Sequence, residues 1–442
     1  MPLQGLPGFR DFYPEELALR NHIFDAMRRV ARRYGFEEYD GPPLEPLELY
    51  TGKSGEEIVA QLYSFVDKGD RAVALRPEMT PTLARMVGER ANGLKKPIRW
   101  FSIPQLFRYE RHQRGRLREH FQLNCDLIGE PGPLGDAEII ALAIDVMRAL
   151  GLGATDVRVR VSDRRMLAVL LEETGIGKER QDLAFQAIDK LGRSEYGARK
   201  QALLDSGVSA AAAAGLESLP ELTTWADIEA RFPMTAGAGE PLRQTLAGLD
   251  AMGLGEFVDL DLRIVRGLAY YTGTVFELFD AQGTFRAVCG GGRYDDLLQR
   301  IGGIDLPALG FGMGDVVLGE LLKERGRTPP APASVEIFLI SVTPEERPAI
   351  LRLAHQLREQ DLRVEYSLGT DKVVKQLKLA DARGARFAVM IGPEERGRAG
   401  AIIKDLASGA QREVALASVG LELRMALAEG GRPARNNVNG ER

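Results

Sequence analysis

Apolar residues recur at helical spacing over 15–35, at Leu17, Leu19, Ile23, Phe24, Met27, Val30 and Ala31, which predicts one long helix. The next stretch, FEEYDGPPLEPLELY, reads as a strand containing proline, because Gly41, Pro42 and Pro43 end any helical pattern. Two strand-like runs, VRVRV and EFVDLDLRIV, bracket an alanine-rich region at about 162–255 that contains LAFQAIDKL, ARKQALLDSG and PLRQTLAGLDAMG. That order predicts a helical insertion within one fold, for which a purely structural helical lid is an equal reading on the sequence alone. After the proline-rich ERGRTPPAPAS, the chain alternates VEIFLISV, a helix over 344–359, VEYSLG, a basic helix, FAVMIG, AIIKDL and EVAL. Strands alternating with helices predict a compact α/β domain with a largely parallel sheet. The expected division is a first domain at 1–325, a linker at 326–334, a second domain at 335–430 and a disordered tail at 431–442.

Two further segments break the rule that strand-like runs keep charge out. FRYERHQRGRLREHFQLNCDLIG and RGLAYYTGTVFE place arginines, carboxylates, amides and tyrosines among β-formers, and burying such groups is costly unless they face a partner or ligand. In the first segment, IRWFSIPQLFRYE and HFQLNCDLIG predict an antiparallel hairpin with alternating side chains. Arg108 and Glu110 then share a face, as do Gln122, Asn124 and Asp126, while Leu123, Cys125 and Leu127 point into the core. A wall of guanidinium, carboxylate and amide suits a zwitterionic amino acid beside a phosphate. An internal ion pair of Arg108 with Asp126 or Glu110 is the structural alternative, and Tyr270 and Tyr271 could equally be core aromatics.

Composition narrows the class. A chain of 442 residues exceeds a usual single core, so two or three domains are expected. With 44% hydrophobic and 27% charged residues it has the make-up of a soluble globular protein. No apolar run reaches about 18 residues, and MPLQGLPGFRDF lacks the basic-then-apolar order of a secretion signal. The two cysteines, Cys125 and Cys289, cannot build a metal cluster or a disulfide framework, so a reducing cytoplasm is the expected setting. The net charge of −5 argues against nucleic acid only if charge is evenly spread. Arg111, Arg114, Arg116 and Arg118 crowd one loop, and Lys372, Lys375, Lys378, Arg383 and Arg386 another stretch, and such patches can hold phosphates. A solvated helix face is the plain alternative for the second cluster.

The two charged segments closely resemble the motif 2 region and the histidine-specific signature of the histidyl-tRNA synthetases, a class II aminoacyl-tRNA synthetase family. GFRDFYPEEL, LRPEMTPTLARM, CGGGRYDDLL and the C-terminal α/β pattern follow in the family's order, so the resemblance spans nearly the whole chain. It implies an α+β catalytic domain, an antiparallel sheet flanked by helices and carrying a helical insertion over the tRNA acceptor end, and a C-terminal α/β anticodon-binding domain. It also implies a homodimer built on motif 1, the long helix and its following strand.

The same resemblance assigns roles. Arg108 and Arg266 become the catalytic arginines, and Glu78, Met79, Thr80, Gln122, Asp126, Tyr270 and Tyr271 join them in holding histidine. Arg108, Glu110 and Arg116 hold ATP with Mg²⁺, whose ligands the sequence does not assign. Arg114, Arg118, Lys372, Lys375 and Lys378 face tRNA(His). Three positions depart from the pattern. Asp126 is one methylene shorter than the glutamate of many relatives, Val317 stands where a motif 3 arginine would stack on adenine, and Ala269 stands where an acidic residue is frequent. Besides an active enzyme, the sequence leaves a regulatory subunit of ATP phosphoribosyltransferase and a noncatalytic tRNA sensor as readings. Arg266, Tyr270, Tyr271 and the C-terminal domain weigh against the regulatory subunit.

Overall fold

The computed structural model describes residues 3–51, 59–110, 117–266, 270–329 and 335–429. The chain forms two compact units that divide between Pro329 and Pro330. The long helix α1 (Pro14–Arg33) opens with proline in its first turn, where the missing N–H costs nothing, and carries Glu15 and Glu16 at its start and Arg32 and Arg33 at its end. Its buried face is Ile23, Phe24, Ala26, Met27, Val30 and Ala31.

The region after α1 differs from the single strand expected. It forms two short strands, β1 (Glu37–Glu38) and β2 (Leu44–Pro46), which enter different sheets. The Gly41-Pro42-Pro43 step between them supplies neither the donors nor the backbone freedom to continue a ladder. The strands β2, β3 (Tyr63–Val66) and β4 (Ala72–Leu75) make a small antiparallel sheet.

The larger sheet has nine strands. Besides β1 it contains β5 (Ile98–Ser102), β6 (Gln105–Phe107), β7 (Glu119–Ile128) and β8 (Val157–Asp163). It is completed by β9 (Val258–Leu260), β10 (Thr274–Asp280), β11 (Cys289–Arg293) and β12 (Ala308–Gly314). The order is β1-β5-β7-β12-β11-β10-β8-β9, with β6 also on β7, and pairing is antiparallel except at the β1–β5 and β8–β9 edges. A parallel pair needs a crossover, and the helices between Arg164 and Ala251 provide it for β8 and β9. Helix α2 (Pro133–Ala149) is buried on nearly every side, against α1, strands β7, β11 and β12, and the helix Glu240–Ala251. Truncating Ile140 or Leu142 there to alanine costs about 2–5 kcal/mol.

In the C-terminal unit, β13 (Ile337–Ser341) pairs in parallel with β14 (Val364–Tyr366) and β15 (Phe387–Ile391). The sheet is mixed rather than largely parallel, because β16 (Gly400–Asp405) and β17 (Gln411–Ala415) add on antiparallel. The connections at 392–399 and 406–410 are too short for parallel crossovers, which need a dozen or more residues. One face of the sheet packs on Leu353, Leu357, Val419 and Leu423, and the other on Ala380 and Ala385. No described helix is long and apolar enough to cross a membrane.

Candidate active site

Three neighbouring strands form the floor of a pocket in the first unit. Strand β7 brings Gln122, Asn124 and Asp126, and β12 sets Gly314, Gly312 and Gly310 directly across from them. A Cβ at Gly312 would collide with the Gln122 side chain, one at Gly310 with the Asp126 carboxylate, and one at Gly290 of β11 with the Arg266 guanidinium. The glycines of CGGGR and GFGMG thus let long polar side chains lie flat over the sheet.

The pocket is lined by Arg108, Glu110, His120, Gln122 and Arg266 together with Gly290, Gly312, Gly314 and a second set described below. Arg108 donates from Nε to the Pro77 carbonyl at 3.0 Å. Arg266 donates from Nη1 to Glu277 Oε1 at 2.8 Å and sits over the Tyr271 ring at 5.7 Å. Its backbone φ of +55° is a left-handed conformation that side-chain-bearing residues adopt at a cost, and such strain clusters at functional sites.

Next to this pocket lies a buried polar chamber. Tyr270 donates to Glu78 Oε2 at 3.4 Å, and Tyr294 donates to Asp126 Oδ1. The rings of Tyr270 and Tyr271 are 5.0 Å apart, and those of Tyr270 and Tyr294 5.9 Å. Burial pushes the Asp126 pKa up to about 7, against the lowering effect of the Tyr294 hydroxyl. Asp126 therefore engages Tyr294 rather than Arg108, so the internal Arg108–Asp126 ion pair is not the arrangement adopted.

The structure separates the expected residues into groups. Arg108, Glu110, Gln122 and Arg266 share the open pocket, whereas Glu78, Asp126, Tyr270 and Tyr271 meet in the chamber. Met79 is fully buried with its sulfur 3.8 Å from Arg76 Nη1, a core position, and Thr80 opens the helix Thr80–Arg90. Arg118 lies over the Tyr109 ring at 4.4 Å, outside the pocket lining. Arg111, Arg114, Arg116 and Ala269 lie outside the described residues, as do 330–334 of the linker and the tail. In the second unit Lys372, Lys375 and Lys378 are exposed. There Lys375 pairs with Asp371 at 2.7 Å, Arg383 with Glu365 at 3.3 Å and Arg386 with Asp405 at 2.8 Å, so the basic cluster is partly neutralised within its own unit.

Several residues come to the site without having been singled out from the sequence. Glu277 holds Arg266, and Tyr294 holds Asp126. Both stand inside the quoted motifs, and Glu277, a carboxylate in the apolar strand β10, was the available signal. His120 lines the pocket with its pKa pushed down to about 3 by burial and then by the Arg108 and Arg10 cations, so its imidazole is neutral at pH 7. Arg10 bridges Glu119 at 2.6 Å and Asp315 at 2.9 Å, and Asp315 accepts from the Phe121 backbone at 2.9 Å. That network pins the strand bearing His120 to the helix bearing Val316 and Val317. Among the described residues no group of three or more His, Cys, Asp or Glu is placed to cage a metal ion.

Comparison with known proteins identifies the family of the whole chain. A family model described as histidyl-tRNA synthetase matches residues 8–314, and one described as an anticodon binding domain matches 336–424. The histidine–tRNA ligase of Opitutus terrae is 45% identical over 419 residues, covering 93% of this chain and 95% of that protein. The chloroplastic/mitochondrial histidine–tRNA ligase of Arabidopsis thaliana is 40% identical over 415 residues, covering 93% of this chain and 85% of its own. The crystal structure of histidyl-tRNA synthetase from a Nostoc species superposes with a TM-score of 0.80 at 25% identity, covering 96% of this chain and all of that one. A glycine-floored pocket carrying Arg108 and Arg266, a tyrosine-lined acidic chamber beside it, and matches that run almost end to end lead to one conclusion: this chain belongs to the histidyl-tRNA synthetase family.

Proposed function

We propose that this chain activates L-histidine with ATP and transfers it to tRNA(His). The observation that carries the reading is the convergence of Arg108 and Arg266 on a pocket that adjoins a chamber with Glu78 and Asp126 on its walls. In this reading Glu78 receives the α-amino group and Asp126 and the tyrosine hydroxyls read the imidazole, with Gln122 beside the amine. A site of buried polar groups rejects side chains that leave those groups unpaired. A carboxylate oxygen of histidine attacks the α-phosphorus, and the bond from that phosphorus to the bridging oxygen breaks. Pyrophosphate leaves with the electron pair. The terminal ribose hydroxyl of tRNA then attacks the acyl carbon and releases AMP. Arg108 and Arg266 stabilise the charge that builds on phosphate oxygens, and no protein nucleophile is needed.

Glu110 is the one carboxylate among the described residues lining the pocket, which fits an ion held mainly by nucleotide phosphates. Bound there, Mg²⁺ would supply charge neutralisation at the departing phosphates. Arg116 assists at the nucleotide, while Arg114, Arg118, Lys372, Lys375 and Lys378 hold tRNA phosphates. The enzyme acts in the cytoplasm as a homodimer, a reading supported by the motif 1 resemblance and by the exposed Leu6 and Tyr13 beside α1. Pyrophosphate exchange into ATP, measured with each amino acid, tests the activity: exchange is expected with histidine alone. Val317 and Ala269 are the sequence features that favour a noncatalytic relative, and histidine binding without exchange would select that reading.

A further inference from the structure

Beside the arginines, carboxylate, imidazole and amide described above, the pocket has a second, mostly apolar set of lining residues. These are Leu117, Arg286, Ala287, Val288, Val316 and Val317. Arg266 lies over Gly290 and against Glu277, and Arg108 against the Pro77 carbonyl. Arg286 lies four residues before Gly290 on the same chain direction, roughly 13 Å along an extended backbone at about 3.3 Å per residue.

The backbone carrying Arg286 is held on both sides. Asp280 accepts from the Gln282 and Thr284 N–H groups at 3.2 and 2.9 Å and closes the turn after β10. Val288 N–H donates to Leu278 at 2.8 Å, and Gly314 N–H donates to Val288 at 3.2 Å, so the ladder extends past the end of β11 toward Arg286. Arg286 is exposed and belongs to the pocket lining.

We propose that Arg286 binds the β- and γ-phosphates of ATP, and hence the leaving pyrophosphate, while Leu117, Val288, Val316 and Val317 cover the apolar part of the nucleotide. This rests on the reading of the pocket as the site of histidine activation. The chemistry follows from the charges present. With the α-phosphate beside Arg108 and Arg266, the remaining phosphates extend beyond them, and the wall formed by Val316 and Val317 offers them no cation. A planar guanidinium meets two phosphate oxygens at once, and it strengthens its hold as negative charge gathers on the departing group.

The test is pyrophosphate exchange with Arg286→Ala and Arg286→Lys, reading KM separately for ATP, pyrophosphate and histidine. Losing a charge-assisted contact is expected to raise KM for both ATP and pyrophosphate roughly tenfold or more in Arg286→Ala, less in Arg286→Lys, with KM for histidine within about twofold. An unchanged KM for pyrophosphate overturns the proposal, including the case where only the ATP value moves, which would place Arg286 on the base. Equilibrium dialysis with ATP and with inorganic pyrophosphate gives a second reading that needs no catalysis. If the unaltered chain binds both ligands but does not exchange, the activity reading fails while the dialysis of Arg286→Ala still decides the role of Arg286. Equal binding by Arg286→Ala and the unaltered chain overturns it.

Discussion

The two units treat charge in opposite ways. In the first, arginines and carboxylates sit on sheet strands or against them, half or fully buried, each with a named partner: Arg266 with Glu277, Asp126 with Tyr294, Arg10 with Glu119 and Asp315. In the second, the basic residues Lys372, Lys375 and Lys378 stand on the exposed side of a helix and at its start, where water and salt weaken each interaction. The contrast separates two tasks. Stabilising charge that appears only during reaction requires donors fixed in advance and shielded from water. Holding an extended polyanion requires many replaceable contacts.

The largest expected effect comes from disturbing a fixed donor. Arg266→Lys keeps the charge but loses the planar fork, and histidine-dependent exchange should fall about 10²-fold or more while the melting temperature stays near that of the parent. Glu277→Gln should act in the same direction with a smaller loss, because it loosens the orientation of Arg266 without removing it. Near-normal exchange in Arg266→Lys would detach this residue from the chemistry and erase the contrast between the units.

Ending the chain at Pro329 probes the same division from the other side. Every residue assigned to activation precedes that boundary, so exchange should be largely retained while tRNA charging falls steeply. Circular dichroism and sedimentation must accompany the assay, since a lost dimer contact would imitate a lost tRNA contact. Charging at the parental rate by the folded truncation would leave the second unit without its assigned role.

The helical pattern of α1 and the alternation along β7 were readable from local sequence, because each follows from periodicity, whereas Arg266 was singled out through the family resemblance and lies between strands rather than in one. The mixed sheet of the second unit was not, since strand direction depends on whether 392–399 crosses over or turns back. Nor was the partner of Asp126: Tyr294 is 168 positions away along the chain, and only the register of β7, β12 and β11 brings it close. The glycines of CGGGR and GFGMG were not read as close-approach positions, because a glycine carries no sign of the distant side chain that lies over it. Arg286 and His120 stayed unnoticed because each looks like an ordinary polar residue, the first just before β11 and the second at the start of β7.

A smaller effect concerns pH in the buried chamber. The Asp126 carboxyl, with its pKa near 7, is largely protonated at pH 6 and largely ionised at pH 8, and only the ionised form offers both oxygens as acceptors to an imidazole N–H. KM for histidine should therefore fall as pH rises across that window. The free substrate titrates in the same range, so the comparison is with Asp126→Asn, which shares the substrate's titration but lacks the carboxyl. The variant should show a flatter profile, with its deficit growing toward pH 8. Parallel profiles would mean that Asp126 does not change its charge in the working site.

The smallest effect is expected where the charges are most exposed. Replacing Lys372, Lys375 and Lys378 together by alanine should weaken tRNA binding several-fold at low salt and leave exchange untouched. If all three contact phosphates, the slope of log affinity against log salt should drop by about 2–3, since each neutralised phosphate contributes a little under one. Lys375 already pairs with Asp371, so its release from that carboxylate offsets part of its gain on tRNA, and Lys375→Ala should be the mildest single change. An unchanged salt slope in the triple variant would move the tRNA contacts of the second unit to another face. A loss of exchange would instead show that the two units do not divide the work as their charges suggest.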